Sequence, residues 1–395
     1  MPLNDSPWSQ IGQDIDGAQG YNLGIAVAIA TIGMTIAIGS PLASASGTRS
    51  GRVQIYVLSN NRWNQLGTPI DGDEASAGFG GTIDLSLDGR RVAIGSRFRF
   101  FDSGRAVVLE FVNGSIDWQP LGQTLDGPEI GGEFGSSVSL NGSGDKLAVG
   151  WARRSNNDGQ AAGSAVVYQL DSSKAWIQIG KDLWGVSRSD DFGEEVRLSG
   201  DGNRLAVAIP GYGVIGRVEV FALQQGSWVQ LGQSIDGEAN GDFFGTSIDL
   251  SADGQVLAVG SPFNDGGGNR AGHARVFRFV SGVWSQSGND IDGESASDNS
   301  GVSVSLNSDG TTIAIGAERN DGRSGDSSGH VRVYEYIDND SWIQKGADID
   351  GEREGDRSGV AVALSDTDVV VVGAPLSDDG GTNSGHERAF QLINE

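Results

Sequence analysis

Residues 23–39 read "LGIAVAIATIGMTIAIG", seventeen residues without a charge. A membrane-spanning helix wants about 20 apolar residues and the core of a signal peptide about 7–15, so length leaves the stretch between two readings. Residues 244–260, "FGTSIDLSADGQVLAVG", decide it. The first stretch lays on the second without a gap, Gly24 on Gly245, Gly33 on Gly254 and Gly39 on Gly260. In the second copy Asp253-Gly254 marks a tight turn, because this dipeptide accepts the positive φ that a two-stranded hairpin needs. Both stretches are therefore expected to be strand, turn, strand, with Ile32-Gly33 as the turn of the earlier one.

The match is one of seven. Tryptophans at 8, 63, 118, 176, 228, 284 and 342 recur every 52 to 58 residues, six of them as W-x-Q, and each has a glycine four residues on. An Ile/Leu-Asp-Gly follows in six copies, and Leu183-Trp184-Gly185 takes its place in the fourth. Next come a glycine, preceded by Phe in four copies (Phe79, Phe134, Phe192, Phe244), an alternating segment, a short turn, an apolar run, an Asn/Asp-rich loop and a segment such as "GRVEVF". Each unit thus predicts four short antiparallel strands, a to d, and a repeat of that kind is a propeller blade. The fold class is all-β, a single seven-bladed β-propeller over 1–395 with repeats starting near 18, 73, 128, 186, 238, 294 and 352. The chain begins on a d strand and stops after a c strand, so residues 1–17 are expected to supply the outer strand of the last blade, hiding an edge that would otherwise recruit other chains.

Composition narrows the partners. Asp and Glu outnumber Lys and Arg 52 to 27, a formal charge of −25, which repels phosphate backbones and anionic lipid. No nucleic acid and no membrane insertion are expected. Cysteine is absent, which removes disulfides, thiolate metal sites and cysteine nucleophiles. The first 22 residues hold no Lys or Arg and carry Asp5, Asp14 and Asp16, unlike the basic start of a secretory signal.

The pairing of "FG" at the start of strand a with "GSP" or "GAP" after strand b (Gly39-Ser40-Pro41, Gly260-Ser261-Pro262, Gly373-Ala374-Pro375) resembles the FG-GAP repeats of integrin-α-like seven-bladed propellers. The resemblance spans essentially the whole chain. It implies a binding or adhesion platform, extracellular or at the cell surface and part of a larger protein. Many blades of that family carry a calcium loop in the a–b turn. Here the nearest matches, Asp84, Ser86 and Asp88, and Asp249, Ser251 and Asp253, are followed by Val92 and Leu257 where a closing acid would stand. Calcium wants six to eight oxygens, so no cofactor is expected, calcium being the one candidate, and no metal site is assigned.

Long b–c loops on a rigid scaffold are where binding resides, and the ligand-binding candidates fall there. One set is acidic: Asp265, Asp321 and Asp379, within Asn264-Asp265-Gly266, Asn320-Asp321-Gly322 and Asp378-Asp379-Gly380, with Asn157-Asp158-Gly159 as a further copy. Such turns also serve simply to reverse the chain. The other set breaks the repeat: Trp151 stands in a Ser/Ala column, Trp184 replaces an Asp, Arg153 and Arg154 adjoin them, and Arg97, Phe98 and Arg99 lie in "SRFRFF" of the neighbouring blade. Aromatic and arginine side chains gathered in one sector suit a protein or glycan ligand, or pack blade on blade. His273, His330 and His386 follow the first glycine of strand c on separate blades and read as strand-edge residues rather than a shared metal site.

No catalytic set stands out. The D-G turns lack the extra residue of sialidase Asp-boxes, and no nucleophile elbow is present. The preferred expectation is a non-enzymatic extracellular binding or adhesion module, not an enzyme. Its rivals are a propeller enzyme acting on polysaccharide through carboxylates in the central channel, as lyase or hydrolase, and a structural spacer.

Overall fold

The computed structural model describes residues 7–31, 34–156, 159–337 and 340–393. They form seven antiparallel sheets around a channel. In the fifth, Ser247–Leu250 (a) pairs with Val256–Ser261 (b), b with His273–Val280 (c), and c with both Val283–Gln286 and Ile291–Asp292 (d). The apolar run at 26–40 is strand a (Ala26–Ile29) and strand b (Thr35–Ser40) of the first blade. Its turn, Ile32-Gly33, lies outside the described residues. Among the described residues no helix is long and apolar enough to cross a membrane. In the last blade Trp8–Gln10 and Ile15–Asp16 both pair with His386–Leu392, Trp8 standing opposite Leu392. The rest of the 1–17 segment expected there, residues 1–6, lies outside the described part.

The cores lie between blades, not within them. One cluster joins Ala206, Val218 and Val220 of the fourth blade to Phe244, Ile248, Leu257, Val259 and Trp284 of the fifth. Another, with Ile15, Leu23, Ile36, Ile38, Trp63, Val369 and Val371, joins the seventh blade to the first. A b strand is covered on both faces, which is why "VLAVG" and "IAIG" are continuous apolar runs rather than alternating ones. The FG motif belongs to the same joints. Phe134, Phe192 and Phe244 are fully buried, and each bridges to the glycine that opens strand c of the preceding blade, Gly104, Gly163 and Gly216.

Strand d is broken, where the sequence suggested one continuous strand. The break falls at the glycine four residues after each tryptophan, which has φ near +75°, from Gly12 at 73° to Gly122 and Gly232 at 78°. Two constraints demand glycine there. The backbone is left-handed, and an added Cβ at Gly122 would come within 2.6 Å of the Trp176 ring of the next blade. That indole donates Nε1–H to the carbonyl just before the glycine: Trp63 to Ile11 (3.1 Å), Trp118 to Leu66 (2.9 Å), Trp176 to Leu121 (2.8 Å), Trp228 to Ile179 (3.1 Å), Trp284 to Leu231 (2.8 Å) and Trp342 to Ser287 (2.9 Å). At three of these joints a glutamine adds a reciprocal pair, as Gln123 does with the backbone of Trp176. At six of the seven joints the tryptophan and the glycine four residues after its counterpart thus form a clasp, the tryptophan gripping the blade before it.

Trp176→Phe, which deletes one buried hydrogen bond, is expected to cost about 1 kcal/mol. Trp176→Ala, which empties the joint, is expected to cost about 3–5 kcal/mol. Urea unfolding midpoints check the order; equal losses would show that the indole N–H contributes nothing.

Candidate functional site

Strand a leaves one edge unpaired along the channel, and its backbone N–H groups need acceptors. In the third to seventh blades side chains of the preceding blade provide them. Thr82 Oγ1 accepts from Val138 N (3.2 Å), Asp84 Oδ2 from Leu140 N (2.7 Å), Ser139 Oγ from Leu198 N (3.0 Å), Glu195 Oε2 from Ile248 N (2.8 Å), Asp249 Oδ2 from Leu306 N (2.7 Å) and Ser305 Oγ from Leu364 N (3.1 Å). The same columns hold Ala26, Ala28, Ala361 and Ala363 in the first and seventh blades. The aspartates read as possible calcium ligands, Asp84 and Asp249, therefore act as edge caps. In the turns below them Ser86 and Ser251 each donate to Asp88 and Asp253 at 2.7 Å.

The cap is charged in one sector. Arg197 reaches Glu195 at 2.7 Å and Asp249 at 3.8 Å. Burial pushes the Asp84 carboxyl up to about 6 against the opposing pull of Arg197, and burial also raises Glu195 and Asp249 above the usual carboxylate range. The channel here is a cavity of about 290 Å³ touching all seven a strands.

At its mouth Arg97 stands where other blades have the proline of G-S-P. Its guanidinium donates to Glu133 through Nε at 2.9 Å, again to Glu133 through Nη2, and to Glu194 at 3.0 Å. Arg153 adds a contact to Glu133 at 3.2 Å. Asp191 lies two residues before the "GEE" of this blade with φ +55°, and burial, then Glu194, raises its carboxyl. Beside this group opens a second cavity of about 350 Å³, lined by Ile25, Pro41, Leu42, Phe98, Ser136 and Arg97. Both cavities share Ile25, Gly81, Thr82, Ser136 and Arg97. The result is an apolar recess opening beside a polar shaft, with paired carboxylates and arginines at the junction.

The other sequence-chosen residues have different surroundings. Trp151 does not emerge on the loop face: it is 4% exposed and packs edge-on against Phe134, with ring centroids 5.3 Å apart. It fits a small-residue column because Gly132 faces it, where a Cβ would lie 2.2 Å from its Nε1. Trp184 is 37% exposed. Arg154 is held between the two rings, 4.0 Å from Trp151 and 4.2 Å from Trp184, and donates to Asp182 at 2.6 Å. The expected Trp–Arg platform is thus largely satisfied within its own blade. Arg99 is nearly buried among Asp73, Glu74 and Asp126, in a short turn, Arg99–Asp102, that leaves Phe101 82% exposed. Asp265 and Asp321 close their own loops, accepting from Arg270 N (2.7 Å) and Ser327 N (2.9 Å). Asp378, not Asp379, does this in the last blade, taking Asn383 N at 2.8 Å. Asp379 instead pairs with Arg353 and lies 3.3 Å from His386. Asn157 and Asp158 of the further acidic copy lie outside the described residues.

Sequence reading missed Glu194, Glu195, Arg197 and Asp191, and gave Arg97 no partner. The signal was present: "FGEEVRLS" at 192–199 departs from "FGTSIDLS" at 244–251 by three charged residues in channel-facing columns.

Comparison with known proteins agrees with this architecture. Residues 348–387 match the FG-GAP repeat. No curated protein sequence matches the chain. Among solved structures, the periplasmic gluconolactonase of Pseudomonas aeruginosa superposes with a TM-score of 0.54 at 17% identity, over 83% of this chain and 85% of that one. At that identity the likeness is one of fold. It nonetheless runs against the expectation of a non-enzymatic adhesion module and of no enzyme, because the propeller it superposes on is an enzyme, a gluconolactonase.

The raised Asp84 fixes a pH dependence. Between its ordinary value of 3.8 and about 6 the folded protein holds a proton that the unfolded chain has released, so this group lowers stability as pH rises through that window. Asp84→Asn removes this titration. Its denaturation midpoint is expected to fall less than wild type from about pH 4 to about pH 6; parallel profiles would contradict the assignment.

Proposed function

We propose that the protein is a hydrolase of carbohydrate-derived substrates, with sugar lactones the leading class and glycosidic bonds the second. The observation that carries the reading is the junction at Arg97, where an apolar recess meets the polar shaft beside Glu133, Glu194 and Asp191. A sugar ring suits such a junction, with its apolar face against Pro41, Leu42 and Phe98 and its hydroxyls toward the carboxylates and serines. The gluconolactonase title of the structural neighbour supports the same class.

In the proposed reaction Glu194 takes a proton from water as its oxygen attacks the lactone carbonyl carbon. The remaining N–H groups of Arg97 stabilise the oxyanion. Asp191, whose raised carboxyl can carry a proton, gives it to the ring oxygen as the acyl C–O bond breaks, releasing a hydroxy acid. A carboxyl raised by burial, as that of Asp191 is, suits the acid role. Glu133 orients Arg97. A location outside the cytoplasm accords with the neighbour's periplasmic title.

A pH-stat assay over δ- and γ-aldonolactones and aryl glycosides tests this. Wild type is expected to exceed the uncatalysed rate on at least one class, with Glu194→Gln and Arg97→Met each lowering kcat/KM by about 100-fold. No acceleration on any substrate, or full activity in both variants, would overturn it.

A further inference from the structure

The three histidines each sit in a carboxylate setting of their own. His273, His330 and His386 open strand c of the last three blades and are 0–1% exposed. In the first, second and fourth blades the same column holds Arg52, Arg105 and Arg217, each pairing with the Asp of I-D-G at 2.5–2.6 Å. Exchanging arginine for histidine removes that fixed cation and leaves the acids around it. His273 then meets Glu238 and Asp290, His330 meets Glu294 and Asp348, and His386 meets Glu352 and Asp379, each trio with one donor atom per residue inside 4.8 Å.

The buried rings are unsatisfied. Nδ1 of His273, Nε2 of His330 and both ring nitrogens of His386 have no hydrogen-bond partner, although a buried imidazole nitrogen ordinarily has one. The glutamate beside each is paired with an arginine of strand c. Glu294 turns Oε1 to Arg332 at 3.6 Å and Oε2 to His330 Nδ1 at 4.0 Å. Glu238 and Glu352 likewise use Oε1 for Arg275 (3.3 Å) and Arg388 (3.1 Å). The arginines thus hold one oxygen of each glutamate, and at His330 the other is turned toward the imidazole.

We propose that each trio is a binding site for a divalent transition-metal ion of the zinc class, independent of the catalytic reading above. One imidazole and two carboxylates are the mixed N/O set that such ions accept, with a fourth position left to water. The two carboxylates are solvent-accessible and can close the trio toward the edge of about 3.3 Å that Zn–N and Zn–O bonds near 2.0 Å require. Since the glutamate comes from the d–a loop and the histidine from strand c, a bound ion would clamp each loop to the blade beneath it. At the same column three blades carry an arginine paired with strand d, and three others would carry a metal.

Equilibrium dialysis of the full chain against Zn²⁺ tests the proposal, read together with the imidazole proton resonances. The only histidines in the chain are these three, so every imidazole signal reports a site. The expected result is binding of up to three Zn²⁺ with micromolar affinity and shifts of all three imidazole signals, with no matching effect of Ca²⁺ or Mg²⁺. Asp290→Asn/Asp348→Asn, which leaves the arginine pairs intact, should weaken two sites about tenfold or more. Glu238→Gln/Glu294→Gln/Glu352→Gln should weaken all three. Absence of bound zinc in the folded wild type, unmoved imidazole signals, or affinities unchanged in both variants would overturn the proposal.

Discussion

A blade cannot bury its own faces. Each four-stranded sheet here is apolar on both sides and finds its core only against the next, so the structure depends on holding neighbours at a fixed angle at two radii. At the outer radius the Trp–Gly clasp does this. The left-handed glycine opens strand d just where the indole of the next blade enters, and the indole N–H satisfies the carbonyl before it. At the inner radius the polar caps of strand a do it, each joining one blade's side chain to the next blade's backbone. The seam is less complete. Trp8 Nε1 lacks the partner its counterparts have, and Ala361 and Ala363 offer no side-chain acceptor to the first blade.

That division of labour explains how function can enter a repeat. An edge cap needs only an acceptor, and serine, threonine, aspartate and glutamate all supply one. Replacing a serine by Glu195 or Asp249 therefore keeps the architecture while introducing a charge that burial perturbs. The G-S-P column tolerates Arg97 because it faces the mouth of the channel rather than the joint. The strand-c column tolerates either arginine or histidine because both lie opposite the same I-D-G acid. Function accumulates in columns where the scaffold constrains chemistry only loosely.

This also sets what was legible in the sequence. The repeat, the strand count and the true nature of residues 23–39 follow from glycines and tryptophans whose spacing is imposed by the clasp. The broken d strand was hidden because the glycine's partner is 54 residues away, Gly122 facing Trp176. Trp151 misled for a related reason: its compensating Gly132 lies in another column of the repeat, so a paired exchange looked like an unpaired excess. Glu194, Glu195 and Arg197 were visible as departures from neighbouring copies, yet their convergence on one channel depends on ring closure, which places strands a of all seven blades around a single axis.

The central claim is that side-chain caps from the preceding blade seal the inner edge of strand a in the third to seventh blades, and that the alanine columns leave that edge uncapped at the seam. Residue-resolved hydrogen exchange measures this directly. The account predicts that the amides of Leu140, Leu198, Ile248, Leu306 and Leu364 exchange only through global opening, while those of Val27 and Ile29, which face Ala361 and Ala363 across the seam, exchange faster through local fluctuation. Uniform protection around the ring, or slower exchange at Val27 and Ile29 than at the capped positions, would contradict it.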